Sequence, residues 1–200
     1  MSEATHEWDS SYQQAGQAPW DIGRPQPAIQ ARADDGTFSG NVLDAGCGTG
    51  EHALLAASKG ANATGVDIAE PAIRIAEQKA AERGITATFR AGDILTMSLP
   101  DNGFDAAIDS GLFHVFNDAD RGRYVAVLAR TVRPGGVVWL MCFSDRQPGD
   151  WGPRRVTKAE LEAAFADGWD VERIEPSEFD INPVYGETKV QAWLAVLRRT

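Results

Sequence analysis

The residues best placed to do chemistry stand in one short glycine-rich segment. It reads VLDAGCGTG over residues 42–50, and its aspartate, Asp44, precedes three alternating glycines. Glycine permits a tight turn and lets a ligand approach the backbone without meeting a Cβ atom. The segment leads from a predicted strand into a predicted helix, whose first amides can receive a carboxylate or a phosphate. We therefore predict a cofactor loop formed by Gly46, Cys47, Gly48, Thr49 and Gly50.

Two classes of cofactor compete for this loop. Residues 48–53 also satisfy the dinucleotide pattern G-x-G-x-x-G/A in one register. Asp44 favours a different ligand, because a carboxylate just before the loop would face an amino-acid ammonium group rather than a pyrophosphate. Glu51, in the first helical turn, adds negative charge where a pyrophosphate would need none. Asp67 ends the next predicted strand, where a carboxylate can accept both hydroxyls of a ribose, and this suits either cofactor.

A purely structural interpretation is also available for three residues, Asp44, Asp93 and Cys47. Asp44 would then cap the following helix. Asp93, after a third predicted strand, would be a turn aspartate. Cys47 is better interpreted as a small buried residue than as a reactive thiol.

Strand and helix patterns alternate from residue 41 to the end of the chain. Predicted strands cover residues 41–46, 63–68, 86–92, 104–110, 137–143, 170–176 and 190–198. The helix after residue 156 opens with a capping-box pattern, Thr157 and Glu160. Little helix separates the last two strands, which predicts an antiparallel hairpin. We therefore expect an α/β fold, a Rossmann-like doubly wound sheet of about seven strands, mostly parallel with an antiparallel C-terminal hairpin.

Composition and charge limit the kinds of partner that this chain could bind. The chain has 200 residues, which favours one domain, and a net charge of −10, which argues against nucleic acid because phosphate binding needs clustered basic residues. No apolar run approaches the roughly 20 residues that span a bilayer. Two cysteines without a visible secretory signal predict free thiols in the cytoplasm. No grouping of His, Cys and Asp has metal-ligand spacing, so no metal is expected.

The ordered motifs resemble those of class I S-adenosylmethionine-dependent methyltransferases. Residues 42–50 resemble the first motif, residues 66–68 the ribose-binding segment, residues 91–94 the adenine-contacting segment, and residues 132–136 the turn before the fifth strand. The resemblance implies S-adenosyl-L-methionine as cofactor on a domain at residues 41–200. The residues it would place against the nucleoside are Asp67, Ile68, Gly92, Asp93 and Ile94.

The N-terminal segment, residues 1–40, resembles a narrower group. Residues 8–29, WDSSYQQAGQAPWDIGRPQPAI, are similar to the N-terminus of thiopurine, thiol and halide methyltransferases, and bacterial relatives with PWDIG methylate quinolones or hydroxylated aromatic compounds. The resemblance implies a helical lid packed on the domain, in which Trp8, Tyr12 and Trp20 fold over the cofactor. Aromatic faces stabilise a cation such as a sulfonium within about 6 Å. The alternative is that these rings only fasten the N-terminus to the sheet.

Residues 104–116 resemble the same group's fourth-strand motif, so Asp109 and Ser110 would touch the methionine portion of the cofactor or the acceptor. Some thiopurine enzymes carry an arginine where Ser110 stands, and a role with charged substrates is therefore not carried over. His114 is the best candidate for a general base, because it follows the fourth strand and has a nearly neutral pKa. A packing histidine beside Phe113 and Phe116 is the alternative.

The sequence thus predicts methyl transfer to the S, O or N atom of a small, aromatic or heterocyclic acceptor by a monomer or homodimer. Catalysis would consist mostly of alignment at attack distance. The alternatives are an NAD(P)-dependent oxidoreductase and a non-catalytic S-adenosylmethionine-binding protein. The acceptor and its nucleophilic atom stay open at this point.

Overall fold

Seven strands form one mixed sheet in a computed structural model, which describes residues 8–12, 18–36, 38–184 and 186–200. The strands are β1 (Asn41–Ala45), β2 (Asn62–Asp67), β3 (Thr88–Ala91), β4 (Phe104–Ser110), β5 (Val132–Phe143), β6 (Trp169–Val184) and β7 (Glu187–Arg199). Their order is β3-β2-β1-β4-β5-β7-β6. The first five are parallel, while β7 pairs antiparallel with both β5 and β6. The predicted doubly wound sheet with its C-terminal hairpin is confirmed.

Five helices and one 3₁₀ turn accompany the strands in the described ranges. They are α1 (Pro27–Asp34), α2 (Glu51–Ser58), α3 (Glu70–Arg83), the 3₁₀ turn Phe113–Val115, α4 (Asp118–Thr131) and α5 (Lys158–Ala164). Residues 8–11 add a helical turn near the N-terminus. The predicted capping box is present at α5, where Thr157 Oγ1 accepts from the Glu160 N–H and the Glu160 carboxylate accepts from the Thr157 N–H. None of the helices described is long and apolar enough to cross a membrane.

The sheet separates two apolar layers, because its central strands bury residues on both faces. Leu43 and Ala107 join one layer with Leu128 of α4, whereas Val42 and Ala106 join the other layer with α1 and α2. Successive side chains of a strand point to opposite faces, so continuous apolar runs are typical of a covered parallel sheet. The central strands therefore hold their carboxyl ends in fixed positions.

Two strands, β5 and β6, differ from the predicted bounds by more than three residues. β6 runs to residue 184 instead of 176, because it continues along a long hairpin partner, with pairs such as Asp180 with Lys189. The turn expected at residues 132–136 lies inside β5, where the pairing with β4 shifts register between Phe104 and Ala106. The predicted turn is therefore a bulge-like irregularity at the start of a strand.

Strand order also explains where a ligand can bind. β1 lies between β2, which continues one half of the sheet, and β4, which begins the other. Connections leave β1 and β4 toward opposite sides, which opens a crevice at their carboxyl ends. The loop of residues 46–50 lies at this edge. It ends on Gly50, the N-cap residue of α2, which has a left-handed φ of +84°.

We expect Gly50→Ala to destabilise the protein more than Gly60→Ala, the glycine that follows α2. Both have positive φ, +84° and +94°, so alanine would strain the backbone at either position by about 1–2 kcal/mol. A Cβ at Gly50 would lie 2.8 Å from both Ala76 Cβ and the Phe89 ring, whereas nothing lies within 4 Å of one at Gly60. The additional overpacking cost is about 1–3 kcal/mol, measurable by urea unfolding of the two variants. Equal losses would show that α3 and β3 give way without cost.

Candidate active site

The glycine loop is joined directly to the second strand. The N–H groups of Gly46 and Cys47 both donate to the Val66 carbonyl, at 2.8 and 2.9 Å. The Gly48 N–H donates to Asp67 Oδ2 at 2.8 Å. These bonds close the loop over the carboxyl ends of β1 and β2, where backbone amides and a carboxylate face the same crevice.

Asp44 lies beneath the loop and has one free oxygen. Its Oδ2 accepts from the Ala53 N–H at 2.9 Å, in the first turn of α2, so the capping interpretation describes half of this side chain. Its Oδ1 is buried and has no hydrogen-bond partner among the described residues. Burial, with Asp67 and Asp109 nearby, raises the pKa of Asp44 to about 7. A buried carboxylate with an unpaired oxygen suits a cationic ligand, which would supply the missing charge.

Asp67 has both oxygens engaged by the backbone. Besides the bond from Gly48, its Oδ1 accepts from the Ala69 N–H at 2.9 Å. Burial is the main cause that raises the pKa of this carboxyl. An ionised carboxylate offers about four lone-pair directions, so Asp67 can still accept from a ribose hydroxyl. Its neighbour Ile68 is partly exposed at the same edge.

Glu51 is paired with two cations, contrary to the expectation from the sequence. The Arg83 guanidinium donates to both of its carboxylate oxygens at 2.8 Å, and Lys79 Nζ lies 2.9 Å from Oε1. Burial by itself would raise the pKa of Glu51, but the hydrogen bonds and charges of Arg83 and Lys79, both in α3, lower it. The charge that was expected to repel a pyrophosphate is therefore compensated locally, and Glu51 ties α2 to α3.

Aromatic side chains of the N-terminal segment cover the glycine loop. Tyr12 is buried, and its hydroxyl lies 3.0 Å from where a Cβ of Gly48 would stand. Trp20 Nε1 donates to this hydroxyl at 2.8 Å, and the Trp8 ring packs edge-on to Trp20 with centroids 5.4 Å apart. Trp20 itself is 44% exposed. The three predicted aromatic residues are brought together at the loop.

Residues 18–26, which we call the strap, are fastened to the sheet. Gln26 exchanges two hydrogen bonds with the Asp180 backbone of β6, at 2.9 and 2.8 Å. Asn182 Nδ2 donates to the carbonyls of Ala18 and Asp21, at 2.9 and 2.8 Å. The strap is therefore anchored to the sheet, and the lid at residues 1–40 stays a prediction.

The strap also holds the glycine loop through Thr49. Thr49 Oγ1 donates to Asp21 Oδ1 at 2.8 Å and accepts from Lys79 Nζ at 2.7 Å. His52 of α2 makes a further connection, because its Nε2 accepts from the Gln26 N–H at 3.1 Å. Asp21, Lys79 and Gln26 were not predicted, since nothing local in the sequence indicates these contacts.

The segment after β3 has a strong structural role. Asp93 Oδ1 accepts from the Leu95 N–H at 2.9 Å, as in an Asx turn, and Ile94 packs in the core. Gly92 donates its N–H to the Asp67 carbonyl at 2.8 Å. The geometry favours the turn interpretation for Asp93 and leaves the partly exposed Gly92 next to Asp67.

Asp109 is fully buried at the end of β4. Its carboxylate accepts from the Leu112 N–H at 2.7 Å and from the Phe113 N–H at 3.0 Å. Burial raises the pKa of Asp109 to about 7. These contacts favour a role in shaping the following turn, whereas Ser110 is partly exposed next to it.

His114 is also buried, and its ring nitrogens have fixed roles. Nδ1 accepts from the Phe143 N–H at 2.9 Å, so the neutral ring carries its proton on Nε2 and has no free lone pair. Burial, together with the nearby charges of Arg121 and Arg155, lowers the pKa of His114 to about 3. These facts favour the packing interpretation over the general-base hypothesis.

The remaining predicted residue, Cys47, is buried like Cys142 and forms no disulfide. Burial, with Asp44 and Asp67 nearby, raises the pKa of its thiol well above the ordinary value. This favours the small-residue interpretation. Within the described ranges, no group of His, Cys, Asp and Glu is arranged to hold a metal ion.

Aromatic residues that sequence reasoning missed lie beside Gly111. Phe143 contacts three other rings, with centroid distances of 5.0 Å to His114, 5.8 Å to Phe179 and 6.1 Å to Trp151. A Cβ at Gly111 would lie 3.4 Å from His114 Nε2 and 3.9 Å from Phe179. The signal available was Trp151 in a Gly- and Pro-rich loop at the carboxyl end of a strand. We call these four rings the aromatic wall.

Two cavities lie elsewhere, at the amino ends of the strands. One, of about 350 Å³, is lined by arginines that include Arg133 and Arg198, and these pair with Asp105 and Glu172. The other, of about 380 Å³, is lined by residues around Asn62. Both cavities lie at the edge opposite to the crevice, so neither is the candidate site.

Two curated relatives match this chain over more than nine tenths of its length. The methyltransferase domain family matches residues 42–136. The chain is 36% identical to a 2-heptyl-1-hydroxyquinolin-4(1H)-one methyltransferase of Mycobacteroides abscessus, over 91% of this chain and 82% of that protein. It is 27% identical to a "Probable thiol methyltransferase 2" of Arabidopsis thaliana, over 93% of this chain and 83% of that protein.

Solved structures share the fold. A structure on the conversion of a disulfide bond into a thioacetal group during echinomycin biosynthesis is 36% identical, with a TM-score of 0.87 over 98% of this chain and 93% of that one. A Burkholderia thailandensis 1,6-didemethyltoxoflavin-N1-methyltransferase with bound S-adenosylhomocysteine has a TM-score of 0.76 at 22% identity, over 98% of this chain and 87% of that one. This chain belongs to the methyltransferase family. Its cofactor is S-adenosylmethionine, and the oxidoreductase alternative loses its support.

We expect the unfolding free energies of wild type and His114→Gln to diverge with acid. Glutamine keeps an acceptor for the Phe143 N–H but cannot be protonated, whereas the pKa of folded His114 is about 3. Unfolded histidine binds a proton below a pH of about 6.5, whereas folded His114 does not. As the pH falls below this value, the unfolding free energy of wild type should therefore decrease by up to about 1.4 kcal/mol per pH unit relative to the variant. Urea unfolding at pH 8, 6 and 5 measures the difference. A constant difference would mean that folded His114 titrates like free histidine.

Proposed function

We propose that this methyltransferase transfers the methyl group to the S, O or N atom of a small aromatic or heterocyclic acceptor. The observation that carries the proposal is the aromatic wall, His114, Phe143, Trp151 and Phe179, beside Gly111 at the carboxyl end of β4. Leu112, the next residue, comes within 3.0 Å of the Cβ position of Gly46 in the cofactor loop. An acceptor held against the wall would thus lie next to the cofactor, and aromatic rings favour a flat, apolar partner.

The cofactor would be held by charge and by backbone. Bound S-adenosylmethionine supplies a methyl group on a sulfonium that a nucleophile displaces directly. Asp44 Oδ1, buried and without a described partner, fits the ammonium group of such a ligand. Asp67 would receive the ribose, with Gly46, Cys47, Gly48, Thr49 and Gly50 around the amino-acid portion. Tyr12, Trp20 and Trp8 would cover the cationic centre from the loop side.

Three other residues stay weaker cofactor-binding predictions. Asp109 and Asp93 spend carboxylate oxygens on backbone amides, and Ile94 is in the core. Ser110, Ile68 and Gly92 are partly exposed at the same edge and better placed to meet a ligand.

The state of His114 favours particular acceptors. With no free ring lone pair at neutral pH, it does not relieve an acceptor of its proton. Acceptors that ionise near neutral pH, such as thiols or N-hydroxy heterocycles, need no base and present a nucleophile already formed. Such an acceptor agrees with the quinolone and thiol methyltransferases among the relatives.

We further propose a cytoplasmic enzyme that acts as a monomer or homodimer without nucleic acid. The two buried, free cysteines support a reducing compartment. The net charge of −10 and the pairing of arginines such as Arg83 and Arg133 with carboxylates argue against a phosphate backbone as partner.

Binding of S-adenosylhomocysteine, which retains the ammonium group, should strengthen as pH rises through 7. Asp44 has a pKa of about 7, so its charged form is lost below that pH, with Asp67 and Asp109 as the neighbouring acids. Affinity should fall by up to about tenfold between pH 8 and 6, with proton release on binding at pH 7. Calorimetry in buffers of different ionisation enthalpy measures both.

Asp44→Asn is the matched variant, because its amide oxygen still caps Ala53 N–H while the charge is absent. We expect about 10- to 100-fold weaker binding at pH 8 and a smaller gap at pH 6, as lost charge-assisted bonds imply. A wild-type affinity that stays flat from pH 6 to 8 would remove Asp44 from the ammonium site.

Methyl transfer itself is tested with labelled S-adenosylmethionine and a panel containing a 1-hydroxyquinolin-4-one, a phenol, an aryl thiol and iodide. We expect labelled product from the ionisable aromatic acceptors. Cofactor binding without transfer to any acceptor would favour the non-catalytic alternative. Transfer to iodide alone would contradict an aromatic acceptor site.

Deleting residues 1–17 should lower this turnover by at least about tenfold, because Tyr12 and Trp8 leave the cofactor loop. The anchors of the strap, Gln26 and Asn182, stay in place, so the sheet should stay folded, as circular dichroism would show. Full activity in the truncated protein would return these aromatic residues to a fastening role. Trp20→Ala, in the full chain, tests the exposed ring by itself.

A further inference from the structure

The β5–α5 loop, residues 144–157, is organised around one arginine. The Arg155 guanidinium donates to five backbone carbonyls, those of Gln147 at 3.3 Å, Pro148 at 3.4 Å, Gly149 at 3.2 Å, Trp151 at 2.9 Å and Pro153 at 2.7 Å. A guanidinium has five N–H donors in a fixed fork. Every donor of Arg155 therefore has a carbonyl of the same loop.

The ends of the loop are held by other means. The Ser144 N–H donates to the Gln191 carbonyl of β7 at 3.0 Å, and Gln147 Oε1 accepts from the Gln191 N–H at 2.8 Å. At the far end, the Val156 N–H donates to the Phe143 carbonyl at 2.9 Å. Between these points, residues 148–153 contain two prolines and two glycines and form no regular helix or strand. Arg155 supplies the hydrogen bonds that ordinary secondary structure would supply.

The same side chain reaches the aromatic wall. Its guanidinium carbon lies 5.3 Å from the centre of the Phe143 ring and 5.8 Å from that of Trp151. Phe143 contacts His114 and Phe179, and these lie against Gly111 at the end of β4. One residue thus fixes the backbone of the loop and contacts the two rings nearest to it.

We propose that Arg155 is a positioning residue for the methyl acceptor. By gathering five carbonyls of the β5–α5 loop, it places Trp151 against Phe143 and so sets the width of the acceptor side of the crevice. This inference rests on the proposed function, in which the aromatic wall receives the acceptor. Arg155 makes no contact with the glycine loop in the described ranges, so cofactor binding should be independent of it.

Lysine cannot replace this arrangement, because an ammonium group has three donors around one nitrogen instead of five in a plane. Arg155→Lys therefore keeps the charge and removes the fork. Arg154→Lys is the matched control, since the neighbouring Arg154 pairs with the carboxylates of Asp118 and Glu160 rather than with loop carbonyls.

The first measurement needs no acceptor. Hydrogen exchange of residues 145–153 should be at least about tenfold faster in Arg155→Lys than in wild type or Arg154→Lys, because local opening loses several backbone bonds. The dissociation constant of S-adenosylhomocysteine should stay within about twofold in all three proteins, since additivity holds for separate sites. Unchanged exchange would overturn the role of Arg155 whether or not any acceptor is methylated.

The second measurement separates positioning from general damage. For the best aromatic acceptor, Arg155→Lys should raise KM by at least about tenfold and lower kcat less, whereas kcat/KM for iodide should change by less than about threefold. Equal losses for both acceptors, or weakened binding of S-adenosylhomocysteine, would overturn the proposal. If wild type methylates nothing in the panel, the proposed function fails while the exchange result still decides the role of Arg155.

A second variant keeps the test decisive if Arg155→Lys does not fold. Trp151→Leu leaves the five carbonyls in place and removes one ring of the wall. It should raise the KM of the aromatic acceptor without faster exchange in the loop or weaker binding of S-adenosylhomocysteine. An unchanged KM would show that the loop does not border the acceptor.

Discussion

The burial of two carboxylates at the ends of β1 and β2 is the constraint on which the rest of this site depends. A carboxylate removed from water is stable only when hydrogen bonds or a cation compensate for the lost hydration. Gly48, Ala69 and Ala53 provide amides for Asp67 and Asp44, and this requires the tight course of the glycine loop and the start of α2 at Gly50. One oxygen, Asp44 Oδ1, receives nothing from the described protein. The loop, the helix start and the covering aromatic rings are thus arranged around a position where positive charge is needed.

Much of this architecture was predictable from local sequence patterns. The apolar strands, the glycine loop and the capping box at Thr157 depend on residues a few positions apart, and each was predicted, with strand bounds within three residues except at the start of β5 and the end of β6. The contacts that complete the site join distant parts of the chain, and for that reason they were not predictable. Gln26 bonds to Asp180, 154 residues away, and neither residue type indicates the other. Glu51 was assigned to the correct turn, but its effect was misjudged because its partners, Arg83 and Lys79, belong to the next helix.

His114 shows why a suitable residue at a suitable position is not yet a base. It follows β4, as the general-base hypothesis required, but a backbone amide occupies Nδ1 and burial lowers its pKa to about 3. Asp109 is restricted in the same way, because its carboxylate accepts hydrogen bonds from backbone amides of the turn after β4. Asp109 closes the backbone between β4 and the 3₁₀ turn, whereas His114 joins that turn to the end of β5. In both residues the polar atoms that chemistry would need are already used by backbone amides. The likeness in motif is real, and the described contacts favour a structural role for these two members.

The two halves of the crevice are therefore built by different means. The proposed cofactor half lies at the ends of the adjacent parallel strands β1 and β2, where the glycine loop must keep its course to satisfy the buried acids. The proposed acceptor half consists of the aromatic wall and the β5–α5 loop. The bonds of Arg155 in this loop are to carbonyls and do not depend on the side chains that the loop presents. Such a loop can change its side chains while keeping its course. A fold organised in this way can keep one cofactor and vary its acceptor, which agrees with quinolone and thiol methyltransferases standing among the relatives of one chain.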